Sequence, residues 1–405
     1  MPPLAIDGGP PVRTAPFPPR QPFGDREIEL VTQALRSQNL FGPSGTMVPE
    51  LERRFADTYG VRHAVASTSG TAAIHVAIGA LNPDPGDEII VPPITDAGSV
   101  LPILFQQAVP VFPEVDETHN LDPASVEAAI TPRTRAILAV HLSGNPCHLD
   151  ALCDIARRHG IALIEDCSQA HLTRYHDRIC GTLGRIGCFS FQQSKHMTTG
   201  DGGMTITDDD ELADRMSRFR DKGWTRKPGA RRYPFLGLNY RMTELQGAVG
   251  LAQLEKLPAV VQARHDLGEQ LSAAIADVPG ILPSPVTPGG WHTYWHYGLR
   301  VVEGDAARFA EALRAEGIPC GHGYIGKPIF LCMESLAERT TFGSSSHPLD
   351  GCHGGRQIAY DDQLCPRTHH LLQQMLVLTI HEHFAPADVA DMATAIRKVA
   401  EALIP

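Results

Sequence analysis

Lys195 stands in a segment whose residue types could do carbonyl chemistry: Gly187-Cys-Phe-Ser190-Phe-Gln-Gln-Ser-Lys195-His-Met-Thr-Thr-Gly200-Asp-Gly-Gly203-Met204. An apolar, strand-like run ends at Ser190, the lysine follows, and a glycine-rich turn comes next. Upstream, a second apolar run, Ile161-Ala-Leu-Ile164, ends in Glu165-Asp166. A lysine and an acid at the ends of parallel-type strands are what pyridoxal phosphate chemistry requires. The amine forms the Schiff base, and the carboxylate pairs with the pyridinium nitrogen so that the ring can take up electrons. A third segment, Ser67-Thr-Ser69-Gly-Thr71, follows one strand and opens a helix. Backbone N–H groups at such a turn bind phosphate, with the hydroxyls of Ser69 and Thr71 assisting. Each feature alone has an ordinary explanation: a solvated lysine, an aspartate N-cap, a serine N-cap. Their combination is far more specific than any one of them.

These residues need a frame that brings strand ends together. Short apolar runs are expected as strands at His63–Ala66, Glu88–Val91, Val109–Val115, Ala136–His141, Ala162–Asp166, Gly187–Phe191 and Gly203–Thr207. They are apolar on both faces, as buried parallel strands are. Helical spacing separates them at Thr71–Leu81, His148–His159 and Asp210–Asp221. The alternation implies an α/β domain with a mainly parallel sheet, whose strand ends converge on a ligand crevice. Gly229–Tyr240, with Pro234 and Gly237, breaks the pattern. A helix then begins at Thr243, where Thr243-x-x-Gln246 forms a capping box. The Pro/Gly-rich stretch Val278–Gly290 marks passage into a smaller C-terminal domain. That domain ends in an amphipathic helix carrying Val389, Met392, Ile396, Val399 and Leu403. The expected division is 1–257 for the large α/β domain with its N-terminal arm and 258–405 for a small α+β domain. Phe342–Gly355 reads as an exposed loop.

Composition narrows the class. The 405 residues are 42% apolar and 20% charged, enough for two globular domains. A net charge of -11 offers no basic face to nucleic acid. Nine scattered cysteines without a Cys-x-x-Cys pair point to a reducing cytoplasm. Neither a secretion signal nor an apolar run of membrane-spanning length is present. His381-Glu-His383 lacks the i, i+4 spacing that would put two ligands on one helix face, so no metal site is expected.

Together these segments resemble the DegT/StrS family of sugar and cyclitol aminotransferases, which have the type I, aspartate-aminotransferase-like pyridoxal phosphate fold. The resemblance runs through Asn39-Leu-Phe-Gly42-Pro, Ser69-Gly-Thr71, Gly86-Asp-Glu-Ile-Ile-Val-Pro92, Val140-His-Leu-Ser-Gly144, Glu165-Asp166-Cys-Ser-Gln169-Ala-His171, Phe189-Ser190-Phe-Gln-Gln-Ser-Lys195, Thr199-Gly-Asp-Gly-Gly203 and Asn239-Tyr-Arg-Met-Thr-Glu244. It implies that Lys195 binds the cofactor and shuttles the proton, and that Asp166 pairs with the pyridine nitrogen. Gln169 lies near the phenolic oxygen. Ser190 and the Gly70-Thr71-Ala72 turn hold the phosphate. Asn239 reaches that phosphate from a neighbouring subunit, which implies a homodimer with shared sites.

The family's ring-stacking aromatic falls in a Pro-x-x-Thr-aromatic segment. Here it reads Pro92-Pro-Ile-Thr95-Asp96. Asp96 is either a cofactor-site residue or simply the N-cap of the following helix, and both readings stand at this point. His141, His171, His292, His296, His322 and Tyr324 are weaker candidates to face the site.

By resemblance, the function is amino transfer from glutamine or glutamate to a ketone of a cyclitol or sugar, scyllo-inosose-like, in aminoglycoside or other secondary-metabolite biosynthesis. Phe-Gln-Gln-Ser-Lys195 favours the cyclitol branch. A nucleotide-diphospho-4-keto-sugar aminotransferase is the alternative. A sugar dehydratase on this fold carries histidine in place of the lysine, and Lys195 argues against it. A non-catalytic or regulatory member is favoured only by Asp96.

Overall fold

The computed structural model describes residues 3–226 and 231–404. The start of the break expected at Gly229–Tyr240 lies outside them. The central sheet has seven strands in the spatial order His63–Ser67, Gly203–Thr207, Ile186–Ser190, Ala162–Asp166, Thr134–Val140, Glu88–Ile90 and Val109–Val111. All neighbours pair parallel except Gly203–Thr207, which is antiparallel to both strands beside it. All seven expected strands are present. The edge strand stops at Val111 rather than Val115, two residues before Pro113, which has no N–H to offer a ladder.

The sheet is buried on both faces. Ile137 and Ala139 pack into one apolar cluster, Ala136 and Leu138 into another, as the two-residue period of a strand dictates. The helices Gly70–Leu81, Ala97–Phe105 and Asp210–Phe219 cover the second face. The helices Met47–Tyr59, Leu149–His159 and the first half of Glu244–Ile275 cover the first. The last of these starts in the expected capping box at Thr243.

A four-stranded antiparallel sheet follows, in the order Ile281–Leu282, Tyr297–Val301, Met375–Leu378, Cys320–His322. The terminal helix Pro386–Leu403 closes over it with Val389, Met392, Ile396 and Val399 buried. Helix Glu244–Ile275 links the two sheets. Val261 packs with the large sheet, while Leu267, Leu271 and Ile275 pack with the small one. The boundary expected at 257/258 therefore falls inside a continuous helix. Two other segments pack across that division: Leu4 joins the core of the small sheet, and Ile329, Phe330, Leu349 and Tyr360 join that of the large sheet. No described helix is long and apolar enough to cross a membrane.

Candidate active site

The chemistry-bearing residues meet at one end of the central sheet. Asp166 and Ser190 are the last residues of two adjacent parallel strands. The antiparallel strand begins at this end, so Gly203 pairs with both Ser190 and Ser67. A Cβ on Gly203 would lie 2.2 Å from the Ser69 carbonyl oxygen, which is why only glycine fits there. The chain then turns at Ser69 into helix Gly70–Leu81. Ser69, Gly70, Thr71, Thr95, Asp96, Ser99, Asp166, Gln169, Ser190, Lys195, Trp295 and Tyr324 are among the residues lining the resulting cleft of about 300 Å³.

Asp166 is buried, and both its oxygens are engaged. Oδ2 accepts from Ser99 Oγ at 2.9 Å and Oδ1 from the Ser168 N–H at 3.0 Å. Ser99 Oγ also lies 2.8 Å from Thr95 Oγ1. The carboxylate is thus held in one orientation by side chains of the 95–99 turn. Gln169 is equally fixed. Its Oε1 accepts from the Ser143 N–H at 2.7 Å and its Nε2 donates to the Tyr324 hydroxyl at 2.9 Å. The backbone donor decides which end of the amide is oxygen. Burial pushes the Tyr324 phenol well above its usual range, so it keeps its own proton to donate.

Lys195 is buried, with Nζ 3.5 Å from the centroid of the Trp295 ring. Burial draws its ammonium down to about 8, against the opposing pull of Asp166 and Asp96. An amine partly neutral near pH 8 is a nucleophile where an ordinary lysine is not. In cofactor-free protein, acylation of Lys195 is expected to rise with a midpoint near pH 8, against 10.5 for an unperturbed lysine. Mass spectrometry of peptides labelled across that range measures it. The linked stability has a definite sign. The folded state holds this proton less tightly than the unfolded state, so Lys195's contribution becomes more favourable as pH rises from about 8 to 10.5.

Three further candidates have these positions. The Ala72 N–H is taken by the Ser69 side chain, which caps the helix at 3.0 Å. Gly70 and Thr71, whose amides have no intrahelical partner, remain for an anion. Asp96 is exposed and caps helix Ala97–Phe105, its Oδ1 accepting from the Gly98 N–H at 2.7 Å. It lines the cleft, but as a cap. Asparagine caps equally well, so Asp96→Asn should leave stability unchanged, while Asp96→Phe should cost about 1 kcal/mol in chemical denaturation. Asn239 is exposed, bridges to Asp221 and does not line the cleft of its own chain.

The histidines serve mostly as structure. His141 joins Glu165 and the Cys147 N–H, and His171 bonds the Ser190 carbonyl. His292 stacks on Tyr294. His322 bonds the Gln373 carbonyl. Sequence reasoning missed Trp295 and Ser99. A run of aromatics at 294–297 was the only signal for the first, and a hydroxyl one turn into the helix after Asp96 the signal for the second.

The residues fit pyridoxal phosphate. A Cβ on Gly70 would lie 2.6 Å from Ser190 Cβ and one on Gly98 2.6 Å from Thr71 Oγ1, so the cradle is closed around glycine. Its donors are amides and hydroxyls, which suit a phosphate. The buried carboxylate suits a protonated ring nitrogen, and the depressed amine suits an aldehyde. Residues 22–397 match the DegT/DnrJ/EryC1/StrS aminotransferase family.

The chain belongs to this family.

It is a pyridoxal-phosphate-dependent aminotransferase. It is 38% identical over 343 residues to the L-glutamine:2-deoxy-scyllo-inosose aminotransferase of Streptomyces kanamyceticus, covering 79% of this chain and 80% of that one. It is 42% identical over 264 residues to the GDP-perosamine synthase of Caulobacter vibrioides, covering 64% and 70%. DesV of S. venezuelae, solved in complex with a ketimine intermediate, superposes with a TM-score of 0.82 at 31% identity, covering 93% and 94%.

Proposed function

We propose that the enzyme moves an amino group from glutamine or glutamate to a ketone of a neutral cyclitol or sugar, of the scyllo-inosose kind, in cytoplasmic secondary-metabolite biosynthesis. The observation that carries the neutral acceptor is the charge of the cleft. Among the described residues, its charged lining is Lys195 with Asp96, Asp166 and Asp201, and no arginine. Among those residues, a diphosphate would find no lining cation in its own chain's cleft besides Lys195. The likeness to GDP-perosamine synthase supports the second reading, a nucleotide-diphospho-4-keto-sugar acceptor, for which a second copy's exposed Arg231 and Arg232 would have to supply the charge.

Bound pyridoxal phosphate supplies the aldehyde that takes the amine and the ring that accommodates the electrons. Gly70, Thr71 and Ser190 would hold its phosphate, and Asp166 would pair with its ring nitrogen. Lys195 would hold the aldehyde and, as a free base, would carry the proton. Gln169, locked by Ser143 and Tyr324, would bound the ring's oxygen edge. Labelled glutamine and glutamate tested against 2-deoxy-scyllo-inosose and a nucleotide-diphospho-4-keto-hexose decide the acceptor. Label passing only to the nucleotide sugar replaces this reading with the second.

The active unit is a homodimer with composite sites. Asn239 stands exposed on a segment where Leu236 is 92% exposed and Leu238 45%, an apolar face suited to a second copy. Mixing Lys195→Ala with Asn239→Ala subunits should restore about a quarter of wild-type turnover, since half of the mixed dimers are hybrids with one intact site each. Sedimentation as a monomer, or no restored activity, would count against shared sites.

A further inference from the structure

Glu382 lies beyond the cleft, in the turn before the terminal helix, and holds two arginines at once. Its Oε1 accepts from Arg20 Nε at 2.7 Å and its Oε2 from Arg264 Nε at 2.8 Å. Burial acts to raise this carboxyl, but Arg264 and Arg20 overcome it and hold the group at about 2. Arg264 is itself 1% exposed. A buried triad of this kind adds little net stability, because desolvating three charges offsets most of their attraction. Its value must lie in what the remaining donors reach.

They reach the main chain around Lys195. Arg20 Nη1 donates to the Gln193 carbonyl at 3.1 Å and Nη2 to the His196 carbonyl at 2.9 Å, one on each side of the lysine. Arg264 Nη1 donates to the Trp295 carbonyl at 3.4 Å. Trp295 Nε1 in turn donates to the Ser194 carbonyl at 2.9 Å, and its ring carries the lysine amine. Three carbonyls of the Lys195 loop are therefore held from outside the loop. Arg20 of the N-terminal arm and Trp295 hold them, Arg264 of the linking helix holds Trp295, and one carboxylate joins the two arginines.

We infer that Glu382, acting through Arg20 and Arg264, is a positioning residue that fixes the loop around Lys195 and the Trp295 ring and so sets where Nζ points. The inference rests on Lys195 being the reacting amine. None of the three touches the cleft, so their effect is on placement and not on the chemistry itself. A misplacement of about 1 Å at a reacting group is enough to cost on the order of 10²-fold in rate.

The test uses the holoenzyme and reads both kinetics and backbone exchange. Arg20→Ala should lower kcat on the order of 10- to 100-fold while changing KM for the amino donor less than about threefold. It should also speed amide hydrogen exchange in the peptide covering 192–197 more than in the strands of the central sheet, and lower the melting temperature, because it removes one partner of a largely buried ion pair. Arg20→Lys should recover part of the rate, since one ammonium reaches Glu382 but cannot span both carbonyls. Added guanidinium should recover part of it in Arg20→Ala. Glu382→Gln should shift the same two readouts in the same direction. Unchanged kcat and unchanged exchange in Arg20→Ala, with Lys195→Ala inactive, would overturn the inference and leave the role of Lys195 intact. An active Lys195→Ala would instead remove the reading on which it rests.

Discussion

Lys195→Ala is expected to abolish amino transfer while leaving the fold in place. The substitution removes the only lysine among the described residues lining the cleft, and with it the proposed attachment point and proton carrier. Loss of the proton-transfer role alone is worth about 10²–10⁴-fold, and loss of the attachment compounds it. The structural cost is small. Lys195 makes a contact to the Trp295 ring, and the loop is held through main-chain carbonyls that alanine retains. Steady-state turnover against circular dichroism and thermal melting separates the two effects. Added methylamine, small enough to enter the vacated space, should return part of the activity. Turnover within about tenfold of wild type would exclude Lys195 from the proton transfer.

Asp166→Asn is expected to be the next most damaging change. Asparagine has the same shape: its oxygen can still accept from the Ser168 N–H while its NH2 donates to the Ser99 hydroxyl oxygen, so the strand end and the 95–99 turn keep their positions. What is lost is the negative charge facing the ring nitrogen. Removing one partner of a buried charge pair costs about 3–5 kcal/mol, which in the transition state is on the order of 10²–10⁴-fold in kcat. The pH dependence of kcat, followed with the visible spectrum, should show the ring's proton lost at lower pH than in wild type. Asp166→Glu, which keeps the charge but lengthens the arm, should fall between the two. Equal activity of Asp166→Asn and wild type would place the ring's partner elsewhere.

Much of this site was legible in the sequence because strand ends were. A parallel strand buried on both faces is a short apolar run, and its first polar residue marks the crevice. Asp166 and Ser190 were found that way, and Ser69-Gly-Thr71 by its helix-opening turn. What escaped was contributed by contact and not by pattern. Trp295 reaches the lysine from the segment just before strand Tyr297–Val301, a hundred residues on in the chain, and no periodicity announces it. Ser99 holds Asp166 only because the helix after Asp96 folds its first turn onto the strand end.

Asp96 shows the opposite limit. Its departure from the family's aromatic was visible; the carboxylate caps the helix through the Gly98 N–H and also lines the cleft, so both readings of it keep a footing. At 257/258 helix Glu244–Ile275 runs through Pro258 and carries apolar residues for both cores.

The central claim is that Lys195 is the residue to which the cofactor is joined. Borohydride reduction of the resting holoenzyme, followed by proteolysis and mass spectrometry, tests it directly. The account predicts a single phosphopyridoxyl group, on the peptide containing Phe191-Gln-Gln-Ser-Lys195, with loss of the visible band in step with labelling. A phosphopyridoxyl group on Lys222, Lys256 or Lys327, with Lys195 unmodified, would contradict it.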